Sequence, residues 1–173
     1  MRKPKVTLGL VNPKNPENVD SIMRAAGNFI VEHVYYTGSR YPRAVSLNPE
    51  NMNIRRKVSQ NIPLSGVVCL SETISADSKI ICVEFAENAV ALPDYQHPEN
   101  ALYIFGPEDG SISQELLDKA DATVYIPTQG CMNLSASVSV VLYDRLAKLS
   151  LTYEDNELIL NNRDQNNRLK VSR

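Results

Sequence analysis

Residues 6–26 read VTLGLVNPKNPENVDSIMRAA, and this stretch decides the class of fold. Val6–Val11 is an apolar run of strand length, followed by a turn rich in Pro and Asn. From Asn18 onward the apolar residues Val19, Ile22, Met23 and Ala26 recur at helical spacing. Asn18 is read as the N-cap, since its side-chain oxygen can accept from the first free amides of the helix. The same alternation continues along the chain. Val34–Thr37, Val67–Leu70, Lys79–Phe85, Ala101–Phe105 and Ala122–Ile126 are read as strands, and Ser113–Lys119 and Asn133–Leu149 as helices. Residues 38–63, polar and interrupted by Pro42, Pro49 and Pro63, are read as a long loop with one helical turn. Strands alternating with helices imply βαβ units and a largely parallel sheet, so the expected fold is a single α/β domain over residues 1–150. Residues 151–173, rich in Asn and charge, are read as a polar tail.

The chain of 173 residues is 43% hydrophobic, which suffices for a sizeable core and excludes disorder over most of its length. No apolar run approaches the ~20 residues of a membrane span. The run Val6–Val11 is too short for the hydrophobic part of a signal peptide. The expected location is the cytosol. Cys69 and Cys82 lie in the apolar stretches VVCL and KIICVEF and read as small buried hydrophobes. With no CxxC and only His33 and His97 beside three scattered cysteines, neither a metal site nor a disulfide is expected.

The net charge of −2 conceals an asymmetry. Residues 1–60 hold ten Lys/Arg against four Asp/Glu, residues 61–150 four against twelve, and residues 151–173 four against four. Arg40, Arg43, Arg55, Arg56 and Lys57, with Tyr41 among them, form a basic cluster. It reads either as a solvated face or as a place where a phosphate backbone docks.

Three segments put polar residues or glycines at the C-terminal ends of expected strands, where open parallel sheets bind ligands. The first runs from Asn12 to Arg24, the second is Phe105-Gly106-Pro107-Glu108-Asp109-Gly110, and the third runs from Tyr125 through Ile126, Gly130, Cys131, Met132 and Asn133 to Ser135. No P-loop or GxGxxG is present, and no Ser or Cys has a histidine partner in a recognisable constellation. Taken singly, Arg24 reads more readily as a snorkelling surface residue, and each turn as an ordinary strand-to-helix connection.

Their joint order is specific. Asn-x5-Arg after the first strand, then Phe-Gly-Pro-Glu-x-Gly, then Ile-Pro-x-x-Gly followed by Met-Asn-Leu-Ser, resembles the three motifs of the SpoU/TrmH family. These are SPOUT-class RNA 2′-O-ribose methyltransferases. The resemblance covers about residues 6–149 and implies a C-terminal trefoil knot, which general rules of chain topology would have rejected. It also implies S-adenosylmethionine as cofactor, RNA as substrate and a homodimer. Carried over by position, Asn18 and Arg24 sit at the reacting ribose, with Arg24 reaching across the dimer interface, and Glu108 supports the site through hydrogen bonds. Asn133 holds the third turn, and Ser135 caps the last helix. Val83, Gly106, Ile126, Cys131, Met132 and Leu134 line the cofactor site.

This chain departs from the family pattern where Asp20 replaces a small residue and Cys131 replaces a common Ser. The stretch from Ile126 to Asn133 is also shorter than in many relatives. Arg24 is not expected to be a general base, because a guanidinium has a pKa of roughly 12.5 or more; stabilising an alkoxide and anchoring a phosphate suit it better. The leading expectation is methylation of tRNA. It is preferred to rRNA because the first strand begins at Val6, with no room for a separate N-terminal RNA-binding domain. Docking then falls to the basic cluster and to Arg163, Arg168, Lys170 and Arg173. The alternatives are an rRNA enzyme and a knotted RNA-binding or assembly factor without catalysis.

Overall fold

The computed structural model describes residues 4–47, 61–149 and 156–172. Among them, strands β1 (Val6–Leu10), β2 (His33–Tyr36), β3 (Leu64–Gly66), β4 (Lys79–Val83), β5 (Val90–Ala91), β6 (Ala101–Phe105) and β7 (Ala122–Tyr125) form one sheet in the order β3-β2-β1-β6-β4-β7-β5. Every pairing is parallel. The α/β class and the parallel sheet are as the alternation of apolar runs implied. The helices are α1 (Pro16–Asn28), α2 (Arg40–Leu47), α3 (Gln114–Asp118), α4 (Leu134–Lys148) and α5 (Glu157–Asn162).

The period of two along the strands divides the core. Leu8, Leu10, Ile81, Tyr103 and Phe105 pack on one face beneath α1, which contributes Val19, Ile22, Met23 and Ala26, and α4, which contributes Leu134, Val138, Val141 and Leu142. Ile80, Cys82, Leu102 and Ile104 turn to the other face, against Leu70 and Ile112. Burial raises the Cys82 thiol to about 12, with the nearby Glu84 carboxylate adding to it. That matches its expected role as an inert hydrophobe.

Several local expectations are corrected. The cap of α1 is Asn15, whose side chain accepts from the Glu17 amide at 2.8 Å, and Pro16 opens the helix. Asn18 therefore lies within the first turn. The cap of α4 is Asn133, whose Oδ1 accepts from the amides of Ser135 (2.9 Å) and Ala136 (3.3 Å), so Ser135 is inside the helix and donates its own hydroxyl to that cap. Val67–Leu70 is not a strand: β3 is the preceding Leu64–Gly66, and Val68 is fully exposed. Cys69 lies in the connection beyond it, half-buried beside the Ser71 hydroxyl. The segment from residue 38 contains an eight-residue helix, α2, rather than a single turn. The tail carries α5, which is exposed along its length. Arg55, Arg56, Lys57 and Arg173 lie outside the described residues.

One glycine fixes how α2 leaves the sheet. Gly38 has φ +77°, and a Cβ there would stand 2.2 Å from Asn12 Oδ1. That same oxygen receives the Arg40 amide at 3.4 Å, and the Asn12 amide donates to Thr37 Oγ1 at 3.3 Å. Gly38→Ala is expected to cost about 2 kcal/mol or more through the left-handed backbone and the lost contact, read as a lower midpoint in urea unfolding.

Candidate active site

The strand order reverses around β1, β6 and β4. The chain steps from β1 outward to β2 and β3, then returns to the far side of β1 for the remaining strands. Parallel sheets open a ligand crevice beyond the carboxyl ends of strands at such a point. The three motif segments leave β1, β6 and β7 at that end, and hydrogen bonds join them.

Glu108, in the turn after β6, is the hub. Its Oε2 accepts from the Lys14 amide at 2.9 Å, and its Oε1 from the Asn15 amide at 3.0 Å and from Asn18 Nδ2 at 3.2 Å. Asn18 Oδ1 in turn accepts from Asn133 Nδ2 at 2.9 Å. Both ends of the Asn18 amide are thus engaged, and Asn133 spends its oxygen on the start of α4. Asn18, Glu108 and Asn133 form one continuous network, while Arg24 stands apart. Arg24 is exposed on α1 and has no hydrogen-bond or ion-pair partner among the described residues.

Partial burial pushes the Glu108 carboxyl upward, but the amides of Asn15 and Lys14 and the Asn18 side chain outweigh it and hold the group below its ordinary 4.5. A carboxyl lowered in the fold adds stability above its unfolded value, and that stability is lost as pH falls through the folded value. Glu108→Gln is therefore expected to flatten the fall in Tm on acidification below about pH 4.5, measured by thermal unfolding from pH 6 to pH 3.

Next to this network lies a cleft of about 680 Å³, counting the part open to solvent. All six residues expected to line a cofactor site, Val83, Gly106, Ile126, Cys131, Met132 and Leu134, line it. A second, more open hollow shares Glu108, Met132 and Leu134 with it and is lined as well by Lys14, Asn18 and Asn133. The cleft and the hollow thus adjoin, with Glu108 on the border.

Two residues at the cleft were missed by reading the sequence. Glu84 follows β4; its Oε2 accepts from the Ile112 amide at 2.9 Å and its Oε1 from the Phe85 amide at 3.0 Å, so it ties the β4 exit to the turn before α3. Phe85 is half-exposed and packs against Tyr125, with ring centroids 5.9 Å apart. A charged residue ending the apolar run KIICVEF is the signal that marks this spot. Gly106 allows close approach: a Cβ there would press to 3.2 Å from Glu84 Oε2 and 3.4 Å from Ile112.

Comparison with known proteins agrees with the geometry. Residues 5–143 match the model of the SpoU rRNA methylase family. The chain belongs to that family. Among SpoU relatives, the tRNA (cytidine-2′-O-)-methyltransferase TrmJ of Methanocaldococcus jannaschii is 30% identical over 156 residues, covering 83% of this chain and 68% of that protein. The tRNA (guanosine(18)-2′-O)-methyltransferase of Escherichia coli is 25% identical over 148 residues, covering 83% of this chain and 63% of the other. The chain thus spans about two thirds of the length of these curated relatives. SpoU structures share the fold. The A. aeolicus TrmH/SpoU tRNA modifying enzyme superposes with a TM-score of 0.66 at 19% identity, over 92% of this chain and 87% of that one. AviRb of Streptomyces viridochromogenes, crystallised with AdoMet, gives 0.66 at 18% identity over 86% and 59%.

Proposed function

We propose that this SpoU protein transfers a methyl group from S-adenosylmethionine to a ribose 2′-hydroxyl of tRNA, working as a homodimer with its C-terminal segment threaded as a trefoil knot. The observation that carries the reading is the hydrogen-bonded chain Glu108–Asn18–Asn133, which joins three sequence-distant motifs at the mouth of the cleft. S-adenosylmethionine fits the residues present. Its flat adenine suits the apolar walls formed by Val83, Ile126, Met132 and Leu134 beside Phe85, and its positive sulfonium suits a cleft edged by Glu84 and Glu108. Gly106, on the wall of the cleft, keeps the backbone close to Glu84 and Ile112, where a Cβ would press at 3.2 and 3.4 Å. When bound, the cofactor supplies an electrophilic methyl group.

The chain's own residues do the rest. Positioning the nucleophilic oxygen in line with the methyl group can supply much of the rate. Glu108 fixes the Lys14–Asn18 segment, Asn18 passes that order to Asn133, and the hollow between them receives the ribose. The hydroxyl must lose its proton as it attacks. Arg24 stabilises the oxygen's developing charge or grips the adjoining phosphate. Free of partners among the described residues, it serves the site of the second subunit.

The test is a calorimetric titration with S-adenosylmethionine and S-adenosylhomocysteine, alone and with bulk tRNA, followed by transfer of labelled methyl to unmodified tRNA. One cofactor per subunit and a 2′-O-methylated nucleotide are expected. Gly106→Val should weaken cofactor binding about tenfold or more while the protein stays folded. No cofactor binding with tRNA present would favour a non-catalytic RNA-binding role instead.

A further inference from the structure

The rim of the substrate hollow carries charges that the transfer step does not use. Asp109 directly follows Glu108, yet the two carboxylates serve different segments. Asp109 holds the Arg40 guanidinium through both oxygens, at 2.7 and 3.1 Å, and Lys14 Nζ stands 3.6 Å from the same carboxylate. Two cations from separate elements, the loop after β1 and the first turn of α2, thereby converge on one anion. Arg40 is not placed by that ion pair alone, because its amide is anchored on Asn12.

A guanidinium fork that grips a carboxylate bidentately has the geometry to grip two phosphate oxygens. The arrangement is open to solvent, with side-chain exposures of 30% for Arg40 and 52% for Asp109. Exposed pairs of this kind contribute little, so an incoming polyanion can displace the carboxylate at small cost.

The geometry points to a phosphate site for the RNA backbone, formed by Arg40 and Lys14 and occupied by Asp109 as a place-holder until substrate arrives. The inference rests on the RNA reading above and extends it. A single small anion gains little by exchanging with a tethered carboxylate. A strand engaging several cations at once gains much more, so the place-holder discriminates in favour of a polyanion.

The test compares wild type, Asp109→Asn, Arg40→Gln and the double variant, each checked for an unchanged melting temperature. Binding of bulk tRNA is measured at low and high salt, and inorganic pyrophosphate is titrated while the guanidinium NMR signals are followed. Asp109→Asn is expected to bind tRNA about fivefold more tightly at low salt, with the gain vanishing near ~0.5 M salt as screening shortens. It should also take pyrophosphate at lower concentration than wild type. Arg40→Gln should weaken both, and the double variant should behave as Arg40→Gln. If Asp109→Asn binds neither probe more tightly, or Arg40→Gln loses nothing, the place-holder is wrong. If pyrophosphate follows the pattern while no variant binds tRNA, the anion site stands and the RNA reading falls.

Discussion

Arg24→Ala lowers methyl transfer by about 10²–10³-fold and leaves the affinity for S-adenosylhomocysteine within about twofold. The expectation follows from where Arg24 stands. It lies six residues beyond Asn18 on α1, which turns it some 240° around the helix and moves it about 9 Å along the axis. It is thus carried away from the network that Asn18 shares with Glu108 and Asn133. Its side chain is exposed and contributes nothing to the cofactor cleft, so cofactor affinity should not register its loss. Mixing subunits decides between routes. If Arg24 acts across an isologous dimer, combining inactive Arg24→Ala with inactive Asn133→Ala restores roughly a quarter of wild-type activity, because half the dimers then hold one complete site. If it acts within its own chain, the mixture stays inactive. Equal loss of cofactor binding and rate in Arg24→Ala would instead make the residue structural.

Arg145→Met should be the most damaging change to stability, at about 2–4 kcal/mol in denaturant unfolding. Arg145 is only 4% exposed although it is charged. Its guanidinium donates to the carbonyls of Pro98 and Glu99 and to the Tyr103 hydroxyl, and removing it strands the two carbonyls beneath α4. The neighbouring groups extend the same fastening. His97 lies between the Tyr103 hydroxyl (2.6 Å) and Asp144 (2.8 Å), and Lys148 pairs with Asp144 while donating to the carbonyls of Leu92 and Tyr95. Through these bonds α4 is held along the connection between β5 and β6. Lys148→Met, at a more exposed position, should cost clearly less. Cofactor affinity retained in Arg145→Met at low temperature would assign the residue to the fold alone.

Much of this arrangement was legible in the residues. The run ALYIF became β6 without a shift in either boundary, because five apolar residues stop at a Gly-Pro turn and can only be a strand buried on both faces. The three motifs converged because each occupies the exit of a parallel strand. Other features were hidden. β3 is three residues, Leu-Ser-Gly, whose extended shape comes from pairing with Val34–Tyr36 rather than from any pattern of its own. The N-cap of α1 was read as Asn18 where Asn15 holds it, and Pro16 was the overlooked arbiter. Glu84 read as part of the strand Lys79–Phe85, which ends at Val83, and only the fold brings it to the Ile112 amide 28 residues away. Arg145 looked like one more charge on a helix, since nothing local tells a buried guanidinium from a solvated one. Arg24 is the reverse case: the motif gives it meaning, while no contact among the described residues marks it out.

The bonds that build the site also set when it can exist. Glu108 reaches Asn18 across 90 residues of chain, and Asn133 reaches it across 115. A nascent chain emerging from the ribosome can pair β1 with β2 early, but it has no catalytic geometry until the residues beyond Leu134 are out and folded back. Assembly of the site thus waits for the third motif, and a product truncated before Asn133 lacks the network that joins the other two.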